Sequence, residues 1–156
     1  MPILSAADLK AGLGRDQRLL GLDLGSKTIG LALSDVSRTI ATPLLTIART
    51  KFTKDVKELF QIIDSKDVFG LVIGLPVSMD GQEGPRCQSV RQFATSLLAL
   101  RDLPVAFWDE RLSTAAVTRT LLEADTSRKR RAEVVDKMAA AYILQGALDA
   151  GPGVFQ

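Results

Sequence analysis

Residues 18–25 run Arg18-Leu19-Leu20-Gly21-Leu22-Asp23-Leu24-Gly25, and their alternation sets how the rest of the chain is read. Leu20, Leu22 and Leu24 fall on one side, while Leu19, Gly21, Asp23 and Gly25 fall on the other. A period of two marks a strand. Ser26-Lys27 makes a tight turn, and Ile29–Ser34 folds back as the second strand of a hairpin. Thr39–Ala48 supplies a third strand, which Pro43 confines to a sheet edge or a bulge.

Beyond this meander the period changes. Val56, Leu59, Phe60, Ile62 and Ile63 recur at helical spacing within Thr53–Lys66. Gly70–Leu75 is a short apolar run ended by Pro76, and reads as a buried strand. Val77–Pro85 is a loop that opens a helix, with Pro85 in its first turn. That helix places Val90, Phe93, Ala94, Leu97 and Leu98 on one face and stops before Pro104. Pro104–Trp108 is a further strand. Ser113 or Thr114 caps a helix through Glu123, and Ser127 caps a last one reaching about Asp149. The expected fold is α/β, with an antiparallel three-strand meander, then parallel strands, and helices on both faces of one mixed sheet. A single domain spans residues 17–150. Residues 1–16 form a polar or helical extension and 151–156 a tail.

Composition excludes several kinds of chemistry. The 156 residues contain no histidine, which removes imidazole metal sites and every nucleophile that depends on a histidine base. A single cysteine, Cys87, rules out an internal disulfide. Aromatic residues are only 5% of the chain, so the core is aliphatic. The longest run without charge or strong polarity, Val68–Val77, is too short to cross a bilayer. Asp8 and Lys10 interrupt the N-terminal stretch where a signal peptide would be apolar. A cytoplasmic protein without a membrane partner is expected.

Three carboxylates stand out. Asp23 interrupts an apolar strand and shares its face only with Leu19, Gly21 and Gly25; the glycines leave room for a cation or a substrate backbone. It could instead bond backbone donors of the Gly25–Lys27 turn. Glu110 follows the Pro104–Trp108 strand at its carboxyl end, where open α/β sheets gather their sites. Asp109 and Arg111 flank it, and Arg111 could simply neutralise them. Asp136 precedes Ala139, Ala140 and Ile143 by three, four and seven residues, so it occupies or borders the inward helix face. Pairing with Lys137 is the alternative there. Together, three carboxylates would select a hard cation, Mg²⁺ or Mn²⁺, suited to phosphodiester hydrolysis.

Arg128, Lys129, Arg130 and Arg131 begin the helix that carries Asp136, where the macrodipole disfavours positive charge. Phosphate binding would account for them, and Lys27, Arg86 and Arg111 could extend the patch. A solvated helix start is the plain alternative. Few aromatic residues accompany these charges, so backbone or shape recognition is favoured over base stacking.

Gly21-Leu22-Asp23-Leu24-Gly25-Ser26-Lys27-Thr28-Ile29-Gly30, followed by Ala32-Leu33-Ser34-Asp35, resembles the opening of the YqgF/RuvX family. Val72–Pro76, Met79–Arg86, Trp108–Thr114 and Val135–Ala140 match further motifs of that family in the same order, over roughly residues 17–149. The resemblance implies a ribonuclease-H-like fold related to the RuvC resolvases. It also implies a nuclease that matures precursor small-subunit ribosomal RNA, with the family carboxylates on Asp23, Glu110 and Asp136. A monomer or weak homodimer acting on precursor rRNA, or on branched DNA as a Holliday junction resolvase, uses the same chemistry. Two other readings stay open. One is a catalytically silent RNA-binding assembly factor. The other is nucleotide binding, since the Gly21–Ser26 loop also resembles the first phosphate loop of the actin and Hsp70 ATPases. Those proteins close two such domains around a nucleotide, and this chain supplies one.

Overall fold

The computed structural model describes the backbone of residues 3–4, 17–78, 80–112 and 128–150, and the side chains of 17–78, 80–112 and 137–150. Six strands form one sheet: β1 (Ile3–Leu4), β2 (Arg18–Leu24), β3 (Thr28–Ser34), β4 (Ala41–Ala48), β5 (Val68–Leu75) and β6 (Val105–Asp109). Their spatial order is β1-β6-β5-β2-β3-β4. The expected meander is present, as β2 pairs antiparallel with β3 and β3 with β4. The later strands are parallel, β5 to β2 and β6 to β5. β4 is the outer strand, and the β3–β4 register shifts between Leu31 and Ala32, opposite Leu45 and Pro43. Pro43 therefore sits both at an edge and beside a bulge, where its missing N–H is tolerated.

The lead-in departs from expectation. Ile3 and Leu4 pair parallel with Val105 and Ala106, covering an edge of β6 that would otherwise be bare. A two-residue strand is too short to show a period in sequence. The helix expected after Ser113 lies outside the described residues.

Helices α1 (Phe52–Ser65) and α2 (Pro85–Leu100) cover one face and α3 (Arg128–Asp149) the other. The even residues Leu20, Leu22 and Leu24 of β2 join Val56, Leu59 and Ile63 of α1 and Val90, Phe93 and Leu97 of α2. The odd face meets α3 through Leu19, Val72, Ala106 and Trp108 against Ala139, Ala140, Ile143 and Leu144. The small residues of α3 let it come close. A β-carbon on Gly21 would lie 2.8 Å from Leu144 Cβ and 2.9 Å from the Ala140 carbonyl oxygen. Only glycine allows that approach.

Candidate active site at the carboxyl end of the sheet

The parallel strands β2, β5 and β6 end together, so Asp23, Gly74 and Glu110 come from three neighbouring strands at one end of the sheet. Asp23 is paired with Gly30 on β3. On its other side the β2–β5 register runs Gly21↔Val72 and Leu22↔Ile73, and one further step sets Asp23 beside Gly74. A glycine thus stands on each flank, leaving no cross-strand β-carbon next to this carboxylate. The odd phase of β2 turns Asp23 toward the α3 side, and it is only 2% exposed.

Glu110 opens a 3₁₀ turn (Glu110–Leu112) directly after β6 and is 4% exposed. Its Oε2 lies 3.1 Å from where a Gly74 β-carbon would stand, and Ile143 of α3 crowds the same point. Glu110 therefore folds back over Gly74, toward the strand that carries Asp23. Neighbouring strands are about 4.8 Å apart. Both buried carboxylates thus border Gly74, Asp23 from the neighbouring strand and Glu110 through its Oε2.

Two further buried polar side chains, Ser34 and Asp55, have backbone partners. Ser34 Oγ accepts from Leu19 N at 2.9 Å. Asp55 accepts from Thr50 N at 3.1 and 3.2 Å and from Thr50 Oγ1 at 3.1 Å, tying down the start of α1. The alternative role for Asp23 loses one donor, because Gly25 N–H bonds the Thr28 carbonyl at 2.9 Å.

Asp109 and Glu110 are adjacent but differ in environment. Arg111 grips Asp109 with Nη2 to Oδ2 at 2.6 Å, Nε to both oxygens at 3.0 and 3.1 Å, and its backbone N to Oδ1 at 2.9 Å. These hydrogen bonds hold the Asp109 carboxyl below its usual range, against the opposing effect of partial burial. The neutralising role of Arg111 thus falls on Asp109, while Glu110 turns inward. This engagement is the part of the Asp109–Arg111 trio that sequence left open.

Asp136 lies within α3, one turn before the Ala140 that packs on Gly21. Its side chain, like those of Arg128, Lys129, Arg130 and Arg131, is outside the described residues. Lys27 is exposed in the β2–β3 turn, and Arg86 is exposed at the second position of α2. Sequence reasoning missed Arg49, which follows β4 at the same end of the sheet. Its backbone N–H bonds the Lys27 carbonyl at 2.8 Å and its guanidinium the Gly25 carbonyl at 2.7 Å. An arginine at a strand exit carries no periodic signal that would single it out.

The donor set suits a hard cation. Asp23 and Glu110 offer only oxygen, and Mg²⁺ is commonly held by one or two carboxylates together with substrate phosphate. The Gly74 position between them is taken up by Glu110 Oε2 and the Ile143 side chain, so the fit rests on the oxygen donors. Among the described residues there is no cluster of three or more potential metal ligands, and Asp136 lies outside that set. No described helix is long and apolar enough to cross a membrane.

A family model, RuvX, described as Holliday junction resolvase, matches residues 17–150. A protein of Paramagnetospirillum magneticum is 76% identical over 149 residues, 96% of each chain, and bears the name "Putative pre-16S rRNA nuclease". A Rhodospirillum rubrum protein of the same name is 64% identical over 151 residues, 96% of this chain and 94% of its own. Among solved structures, T. thermophilus RuvC in complex with a Holliday junction substrate is similar with a TM-score of 0.52 at 12% identity, covering 90% of this chain and 98% of that one. At that identity the likeness shows the fold, which is the RuvC-type, ribonuclease-H-like arrangement expected from sequence.

Proposed function

This chain belongs to the RuvX family, and from that premise we propose that it is a metal-dependent endonuclease that hydrolyses phosphodiester bonds in precursor small-subunit rRNA. The observation that carries the reading is that Asp23 and Glu110 are both buried beside Gly74 at one end of the sheet. Oxygen ligands so placed suit a hard divalent cation. With Asp136 they would hold a divalent cation, Mg²⁺ or Mn²⁺. When bound, that ion supplies an activated water and stabilises charge on the leaving oxygen. The chain's own part is to orient the ligands on rigid strand ends and, through α3 packed on the odd face, to keep them out of bulk water.

Lys27, Arg86 and the Arg128–Arg131 run would hold backbone phosphates and place the scissile bond against the carboxylates. Arg111 contributes less in this state, because Asp109 already engages it. The names of the two bacterial relatives favour rRNA over branched DNA as substrate. One site suffices for trimming an RNA end, so a monomer can work, and the cytoplasm is where such a precursor is met. The test is cleavage of precursor small-subunit rRNA and of a four-way DNA junction side by side with Mg²⁺ or Mn²⁺. Defined cuts in the RNA alone support this reading. Paired cuts in the junction alone, by a dimer, would replace it with resolution of DNA.

A further inference from the structure

The same end of the sheet carries a second feature, on the face opposite the carboxylates. The Gly25–Lys27 turn, the exit of β4 and the first two turns of α2 enclose a cleft of about 130 Å³. Its floor is apolar, made by Leu24, Val90 and Phe93, and its rim is polar, made by Ser26, Arg49, Arg86 and Ser89. Arg49 lies over the Phe93 ring at 5.7 Å and spends one guanidinium nitrogen on the Gly25 carbonyl. Among the described residues, neither Arg49 nor Arg86 makes an ion pair. Other arginines do: Arg91 on the same helix pairs with Glu83, Arg101 at its far end with Asp64, and Arg111 with Asp109.

Two arginines on one cleft without an acidic partner repel each other and favour an anion between them. The start of a sixteen-residue helix adds the positive end of its dipole to the same wall. Serine hydroxyls and arginines are the usual donors to phosphate and sugar oxygens. We propose that this cleft binds one sugar–phosphate unit of the nucleic-acid strand, with Arg49 and Arg86 on the phosphate and the apolar floor against the sugar. The proposal rests on the nuclease reading and deepens it. Ser26 is three residues beyond Asp23, at most about 10 Å of chain. A strand held at the carboxylates therefore reaches the cleft within about three nucleotides at 3.4 Å each. Arg49 has a second duty, since its two bonds to the Gly25–Lys27 turn shape the exit of the strand that carries Asp23.

Ser89→Asp tests the cleft without touching those turn contacts, because Ser89 is exposed on α2. Gln61→Glu, exposed on α1 toward the opposite end of the sheet, makes the same change in charge elsewhere. Each variant and the wild type are titrated with a labelled single-stranded RNA across a range of salt without metal, and their cleavage is then measured with Mg²⁺. Ser89→Asp should weaken binding at low salt at least about tenfold. It should also lower the magnitude of the log–log salt slope by about 0.7–0.9 for each phosphate no longer engaged. Turnover at saturating RNA should change little, as weaker ground-state binding appears in KM. Gln61→Glu should match wild type. Arg49→Lys should keep the slope and Arg49→Gln should lower its magnitude by about 0.7–0.9. If Ser89→Asp and Gln61→Glu behave alike while the wild type binds and cleaves, the cleft assignment is overturned alone. A wild type that binds neither RNA nor DNA overturns the nuclease reading and the cleft with it.

Discussion

Glu110 Oε2 lies 3.1 Å from the position a β-carbon on Gly74 would take, so this carboxylate occupies space that exists only because residue 74 is glycine. The same missing carbon lets the Ile143 side chain of α3 pack down onto β5 beside Asp23. Gly74 is thus a determinant of the site without any chemistry of its own.

Gly74→Ala should accordingly damage function more than folding. The added methyl meets the buried Ile143 side chain, an overpacking that costs about 1–3 kcal/mol. It also presses on Glu110, and a misplaced ligand forfeits activity steeply. Urea denaturation should find a folded, moderately destabilised protein, and single-turnover assays should find cleavage reduced more than tenfold. Wild-type cleavage by the alanine variant would show that Glu110 does not act where it lies.

Asp23→Asn, Glu110→Gln and Asp136→Asn should each lower cleavage by roughly a hundredfold or more, because losing a metal ligand removes several kcal/mol of charge stabilisation. Thermal stability in the absence of metal should stay level or rise, as repulsion between clustered carboxylates is relieved. A large loss of stability in Asp23→Asn would instead give that residue the structural role of bonding its turn.

The Asp109–Arg111 pair has its own pH signature. Arg111 lowers the folded pKa of Asp109, so the stabilisation is present above the ordinary carboxylate value near 3.8 and is lost as pH falls through the lower folded value. The pair is partly exposed, which limits its worth to about 1 kcal/mol or less. Asp109→Asn should therefore be slightly less stable than wild type at pH 7, with the gap closing below about pH 4. It also releases Arg111, so the salt dependence of RNA binding should steepen. A stability gap that persists unchanged at pH 3, measured by urea denaturation, would mean the pair is not the source.

Replacing Arg128, Lys129, Arg130 and Arg131 together by Ala should weaken nucleic-acid binding and flatten its salt dependence, by about 0.7–0.9 in log–log slope per phosphate released. Turnover at saturating substrate should fall far less than in Asp23→Asn. Identical slopes for wild type and the quadruple variant, in a salt titration of binding, would return the run to a solvated helix start.

How much of this was legible in sequence depended on whether a residue repeats with a period. β2 could be read from the alternation of its side chains, β5 from a short apolar run ended by Pro76, and α1 and α2 from apolar residues at helical spacing. Pro43 declared the edge strand, since its missing N–H restricts where it can sit. Asp23 was legible as a charge inside an apolar strand, and Glu110 by its place at the carboxyl end of a parallel strand. What sequence could not supply was tertiary. Ile3–Leu4 is too short for a period, and its strand exists only because β6 offers an edge. Arg111 names no partner until Asp109 is seen in its grip. Arg49 belongs to the site only because β4 ends where β2 ends, a fact of sheet register.

If a divalent cation on Asp23, Glu110 and Asp136 cuts the RNA backbone, cleavage depends on the metal and on its ligands together. Precursor small-subunit rRNA is incubated with chelator-stripped protein, with protein reloaded by Mg²⁺ or Mn²⁺, and with reloaded Asp23→Asn. The stripped protein should not cleave, reloading should restore defined cuts, and Asp23→Asn should not recover. Cleavage that survives thorough chelation, or metal-restored cleavage in Asp23→Asn equal to wild type, would contradict that mechanism.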